Sequence, residues 1–95
     1  MEFEWDDAKA ESNLRQHGVS IDEAQSVFGD PLATTFFDPD HSDAEDRWLT
    51  IGLSCDNRLL ILAHTDREDR IRLISARVAT RREQQGFEDG NWPGH

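Results

Sequence analysis

Ninety-five residues allow one domain of about the modal size and leave no room for a second. The hydrophobic fraction of 36% is enough for one core shared by a sheet face and a few helix faces, which argues against a disordered chain. No apolar run approaches the ~18 to 20 residues of a membrane span, and the acidic start MEFEWDD lacks the basic residues of a signal peptide. A single cysteine, Cys55, excludes an intramolecular disulfide and a cysteine-based zinc site, so a soluble, unexported protein of the reducing cytoplasm is expected. The net charge of −10 argues against binding nucleic acid through a generally positive surface. That charge is unevenly spread. Residues 1 to 46 hold 13 acids against Lys9 and Arg15, whereas residues 47 to 95 hold seven acids against eight arginines. Arginine grips carboxylates and phosphates in pairs, so the second half can hold a local anion site; composition alone favours pairing with the chain's own carboxylates.

In chain order, EFEW (2 to 5) alternates polar and apolar residues and predicts a first edge strand with Phe3 and Trp5 on one face. Asp6 or Asp7 caps a helix running to about Gln16, which Gly18 ends in a left-handed residue. Ser20 and Glu23 are spaced as a capping box, with Val19 and Ala24 as a hydrophobic staple, for a second helix from Ile21 to about Phe28, closed by Gly29, Asp30 and Pro31. Four strands follow, at 32 to 37, 47 to 54, 58 to 64 and 70 to 76. Turns at Cys55 to Asn57 and Thr65 to Asp69 make the last three an antiparallel meander, and the strand at 58 to 64, apolar on both faces, belongs in the sheet centre. From Ala76 the pattern returns to helix, with Ala76, Ala79, Glu83 and Phe87 three or four residues apart. Residues 38 to 46 are a mobile polar loop with five carboxylates, and residues 89–95 a loose tail. The expected fold is a small single α+β domain over 1–88, with two N-terminal helices and a C-terminal helix packed on a mainly antiparallel sheet.

Asp38, Asp40, His41 and Asp43 offer hard ligands in a row, but the spacing fits neither a calcium loop nor a helical histidine pair, and a solvated acidic loop is the better reading. Ser42 beside His41 is set aside as a hydrolase pair, because adjacent residues rarely face each other correctly. Glycines are scattered singly, so no phosphate cradle is present. Lys9, Asn13 and His17 form a polar stripe along the first helix, equally readable as a cleft lining or a solvated face. The sharper constellation lies later: His64 at a strand end, Arg67 in the adjoining turn, Arg70 and Arg72 on one strand face, and Ser75 and Arg77 at a strand-to-helix junction, with Arg81 one helical turn after Arg77. Guanidinium groups that hold a scissile phosphate, with a histidine to move protons, suit RNA cleavage without metal. Read unaided, Arg70 and Arg72 are better explained by pairing with Glu68, Asp69 or the acidic loop.

The strings EWDDAKAESNLRQHGVSIDEAQSVFGDP, HSDAEDRWLTIG, RLLILAHTDR and IRLISARVATRREQQGFE, in that order over about residues 3 to 88, resemble the BrnT family of toxins from bacterial type II toxin-antitoxin pairs. The resemblance implies a RelE-like fold and a toxin that inhibits translation as a metal-independent endoribonuclease, with no cofactor. It also implies a BrnA-like antitoxin whose ribbon-helix-helix part binds DNA. Its blocks fall on His17 to Ile21, Asp46 to Trp48, His64 to Arg67 and Ile74 to Arg77, with departures at Gln16, Asp46 and Phe87. On this reading His17, His64, Arg67, Arg72, Ser75 and Arg77 are the candidate catalytic residues. Arg72 and Arg77 hold phosphate, and His64 and His17 transfer protons. Lys9, Arg47 and Arg81 bind substrate, and no residue binds metal. The alternative is an antitoxin-binding module with weak or no nuclease activity that acts in operon autoregulation. A small interaction domain without chemistry is a third reading, and an exposed strand edge suits a homodimer or a heterotetramer with antitoxin.

Overall fold

Capping and glycine signals place the first helices where the chain spacing predicts them. In the computed structural model, which describes residues 2–41 and 45–92, β1 (Glu2–Glu4) leads into α1 (Asp7–His17). The Asp6 carboxylate accepts from the Lys9 amide at 3.1 Å, and Gly18 closes α1 with φ 67°. α2 (Ile21–Ser26) runs on into a 3₁₀ turn, Val27–Gly29. Ser20 caps α2 by accepting from the Glu23 amide at 3.1 Å, but only half of the expected capping box forms. The Glu23 side chain turns away from the helix start to bind Arg58 and the Ser54 hydroxyl, the latter at 2.7 Å. A charge that strong, buried in the core layer, is satisfied better by a guanidinium than by one amide. Arg58 also donates to the Gly18 carbonyl at 2.8 Å, and the Cys55 amide donates to Ser26 Oγ at 2.8 Å. These bonds fasten the turn at Cys55 to Asn57 to the helical layer.

The strands are β2 (Thr34–Asp38), β3 (Arg47–Leu53), β4 (Leu59–Arg67) and β5 (Arg70–Val78), followed by α3 (Arg81–Glu88). They make one sheet in the order β1-β5-β4-β3-β2, antiparallel except for the parallel pair β1 and β5. β4 is central, as its two apolar faces require. Three expectations are corrected. Asp38 ends β2, and Pro39–His41 form a 3₁₀ turn, so the acidic loop starts later than 38. The β4–β5 turn contracts to Glu68 and Asp69, with Glu68 at φ 57°. Residues 76 to 78 continue β5 instead of starting a helix; the Thr80 and Glu83 capping box sets the start of α3 at Arg81.

One face of the sheet carries Leu60, Leu62, Leu73 and Ala76, closed over by Val19, Ala24 and Val27, all buried. Fully burying side chains such as Leu60 and Leu62 stabilises by roughly 1.5–3 kcal/mol each. α1 itself buries no residue and is held through Asn13, whose amide donates to the Ala76 and Val19 carbonyls at 2.9 and 3.1 Å while its oxygen accepts from the Ala76 amide at 3.0 Å. The middle of the Lys9, Asn13, His17 stripe is therefore an anchor of the fold. On the opposite face Ile51 and Ile61 are buried where Glu83 of α3 reaches Arg77. The segment expected to be loose contributes Trp92, whose ring meets Phe36 edge-on at 4.9 Å. Among the described residues no helix is long and apolar enough to cross a membrane.

Candidate functional site

Simple alternation along β5 would put Arg70 and Arg72 on one face and Ser75 and Arg77 on the other. A bulge between the pairs Ala63↔Ser75 and His64↔Leu73 leaves Ile74 as the extra residue. The alternation is reset there, so Arg70, Arg72, Ser75 and Arg77 share the face turned away from α1 and α2. Cross-strand register then builds one row across the whole sheet: Asp38, Arg47, Thr65, Arg72 and Glu4. Arg67 and Arg70 stand opposite each other at the adjoining hairpin end, with Glu2 beside Arg70.

This end of the open face gathers four arginines and their carboxylates. Glu4 lies 3.8 Å from Arg67, 3.7 Å from Arg70 and 3.6 Å from Arg72. Arg67 also donates to Glu45 at 3.0 Å, and Arg70 pairs with Glu2 at 3.2 Å. The Arg67 bond holds the Glu45 carboxyl below the usual carboxylate range and raises the arginine above its own. Asp38 and Arg47 are also partnered. Between Arg47 and Arg72 in the row, Thr65 is buried and its hydroxyl has no hydrogen-bond partner among the described residues. Four cations and four carboxylates leave this cluster without a net charge. An incoming phosphate gains the arginines only as it displaces carboxylates from them.

The other candidates are spread around it. Ser75 is exposed on the same face, opposite Ala63. Arg77, placed by sequence at a strand-to-helix junction, lies within β5 and forks onto Glu83 at 2.7 and 2.8 Å. That fork pulls the Glu83 carboxyl down to about 2, chiefly through the Arg77 hydrogen bond. Arg81 opens α3 and is exposed, so it does not follow Arg77 by a helical turn. His64 faces the helical side, edge-on to Phe28 at 5.3 Å, and is buried with Nε2 bonded to Thr50 Oγ1 at 2.7 Å. Burial pushes its imidazole below the ordinary value, and Asp66, 4.0 Å from Nδ1, opposes that shift. His17 ends α1 in solvent, and Lys9 shares a shallow pocket with Trp5, Asn13, Ile74 and Ser75. The structure thus brings Arg47, Arg67 and Arg72 together, leaves Ser75 and Arg77 farther along the same face, places Lys9 beside Ser75 in the pocket under α1, and separates His64 and His17 from the arginines.

Sequence reading missed Glu2, Glu4, Thr65 and Glu83. The first two had a signal, since they alternate with Phe3; their pairing with β5 spans nearly 70 residues and left none. Among the described residues no cluster of three metal-ligating side chains occurs. Of the loop ligands considered, Asp43 lies outside the described residues, as does Ser42.

A protein-family model described as the ribonuclease toxin BrnT of type II toxin-antitoxin systems matches residues 5–83. The crystal structure of the Brucella abortus ribonuclease toxin BrnT, at 1.1 Å, superposes with a TM-score of 0.66 and 21% identity, covering 85% of this chain and 99% of that one. No curated protein matched the sequence. With the family match spanning most of the chain and the fold shared, this protein belongs to the BrnT family of ribonuclease toxins of type II toxin-antitoxin systems, and the partner its family implies is an antitoxin.

Proposed function

We propose that this chain is a metal-independent endoribonuclease that inhibits translation by cleaving RNA in the cytoplasm. A BrnA-like antitoxin with a ribbon-helix-helix DNA-binding part holds it in check, in a heterotetramer. The observation that carries the enzymatic reading is the cross-strand register, Arg47 on Thr65, Thr65 on Arg72 and Arg67 on Arg70, which gathers these four arginines at one end of one face. Guanidinium groups gathered at one point stabilise the charge that develops on a phosphorane without a metal ion. Arg72, with Arg67 and Arg47, holds the scissile phosphate. Arg77, fixed on Glu83, supports the face from its far end. His64, neutral and facing the helices, holds the sheet through Thr50.

The test is cleavage of a labelled single-stranded RNA by the full chain at low salt in EDTA. Wild type is expected to cut and Arg72→Ala to cut about a hundredfold more slowly. Equal rates and identical products from the two proteins would sink the assignment. One observation favours the alternative, a binding module acting in operon autoregulation: Arg67, Arg70 and Arg72 each already face a carboxylate, on a chain of net charge −10. That reading is lost if no complex with the adjacent antitoxin forms at micromolar concentration.

A further inference from the structure

Cleavage through the neighbouring hydroxyl of RNA needs a group that takes the 2′-hydroxyl proton beside the held phosphate. His64 lies on the other side of the sheet and His17 at the end of α1, so neither faces the arginine cluster. Among the described residues, the proton acceptors that do face it are carboxylates: Glu2, Glu4, Glu45 and Asp38. Glu2 pairs with Arg70 and Glu45 with Arg67, while Asp38 is buried at the far edge of the row. Glu4 alone of the four lies within 4 Å of three guanidiniums, with about a quarter of its side chain open to solvent, at 26%. Its contacts of 3.6 to 3.8 Å are longer than hydrogen bonds, in contrast to the Arg77 fork on Glu83 at 2.7 and 2.8 Å. Its oxygens keep their accepting capacity, and β1 holds them in place through its parallel pairing with β5 and the packing of Phe3 on Phe28 at 5.3 Å.

We infer that Glu4 is the catalytic proton acceptor of this site, an assignment that rests on the ribonuclease reading above. A phosphodiester drawn onto Arg67 and Arg72, the two phosphate-holding arginines that Glu4 also faces, brings its 2′-hydroxyl to a Glu4 oxygen. Glu4 takes the hydroxyl proton as the 2′-oxygen bonds to phosphorus. The bond from phosphorus to the 5′-oxygen breaks, and that oxygen takes a proton from a solvent water. One strand ends in a 2′,3′-cyclic phosphate and the other in a 5′-hydroxyl, and Glu4 returns its proton to the hydroxide left by the water.

Single-turnover cleavage of a labelled RNA in EDTA, binding of a 2′-deoxy oligonucleotide of the same sequence, and thermal melting test the assignment on the full-length wild type, Glu4→Gln and Glu4→Asp. Glu4→Gln is expected to bind the uncleavable oligonucleotide at least as tightly as wild type, since a negative charge has left the arginines, and to cleave about a hundredfold more slowly. Glu4→Asp, which keeps a carboxylate set back by one methylene, recovers part of that rate, and the products carry cyclic phosphate ends. Cleavage by Glu4→Gln at or above the wild-type rate overturns the assignment, because the carboxylate is then only a competitor for the arginines. Parallel loss of binding and cleavage overturns it as well, in favour of a positioning role. If Glu4→Gln does not fold, Glu4→Asp decides, and a rate equal to wild type from it counts against the assignment. A wild type inert on RNA removes the ribonuclease reading itself, which is distinct from an active wild type with an equally active Glu4→Gln.

Discussion

The network under the helices and the group around Glu4 on the open face use polar residues in opposite ways. On the helical side, Glu23, buried itself, joins Arg58, Ser54 and the Gly18 carbonyl in a network of short bonds, and Asn13 makes three hydrogen bonds to Ala76 and Val19. On the open side Arg67, Arg70 and Arg72 crowd round Glu4 at distances too long for hydrogen bonds, within reach of solvent. The same ion-pair chemistry fixes a fold where it is short, hydrogen-bonded and built on a buried carboxylate, and leaves a site responsive to a ligand where one part-exposed carboxylate is loosely shared.

The largest effect that sharpens this contrast is Leu62→Ala. Leu62 is fully buried on the helical side, so its truncation should cost about 2–5 kcal/mol in urea unfolding. The rate per folded molecule on RNA should stay unchanged. Arg72→Ala inverts the pattern, with the hundredfold fall in cleavage expected above and little change in melting temperature, since its pair with Glu4 is loose and part exposed. A large fall in melting temperature would show that the open cluster holds the fold after all. Gly52→Ala comes next: a Cβ there would sit 2.8 Å from Ala33 Cβ and 3.0 Å from Val27 Cγ1, an overpacking expected to cost about 1–3 kcal/mol in the same assay.

Two pH effects are smaller. Glu83 is held at about 2 against an ordinary 4.5, so the unfolded chain binds this proton more readily than the folded one. The stabilisation is complete above 4.5 and is lost as pH falls toward 2. The difference in melting temperature between wild type and Glu83→Gln should shrink across that window, and a gap constant with pH would show that Arg77 does not favour the charged form. His64 is shifted below 6.5 by burial, so again the unfolded chain is the better base. Its contribution is present above 6.5 and erodes as pH falls below that value; His64→Gln should flatten this part of the profile of melting temperature against pH.

Local signals were legible where one segment decides its own conformation. Asp6, Gly18 and Ser20 mark helix ends because a cap is a bond between near neighbours. The apolar run of β4 announced a central strand because only a strand covered on both faces tolerates it. Arg77 was misplaced at a junction because ARVATRREQQ has helical spacing, and pairing with β4 outweighs that weak local preference up to Val78. Glu23 was assigned to its own helix start because its partner Arg58 lies 35 residues away.

What the sequence determined by itself is the set of elements, their order, the acidic first half and the supply of arginines in the second, since these depend on composition and short-range spacing. Only the tertiary structure decided which arginines share a face. Strand pairing gathers Arg47, Arg67, Arg70 and Arg72, and that Arg77 joins their face rests on one extra residue, Ile74, displaced from the ladder between β4 and β5. A shift of one position in a period of two reverses every side chain beyond it, and no local pattern in RIRLISARV records where the shift falls.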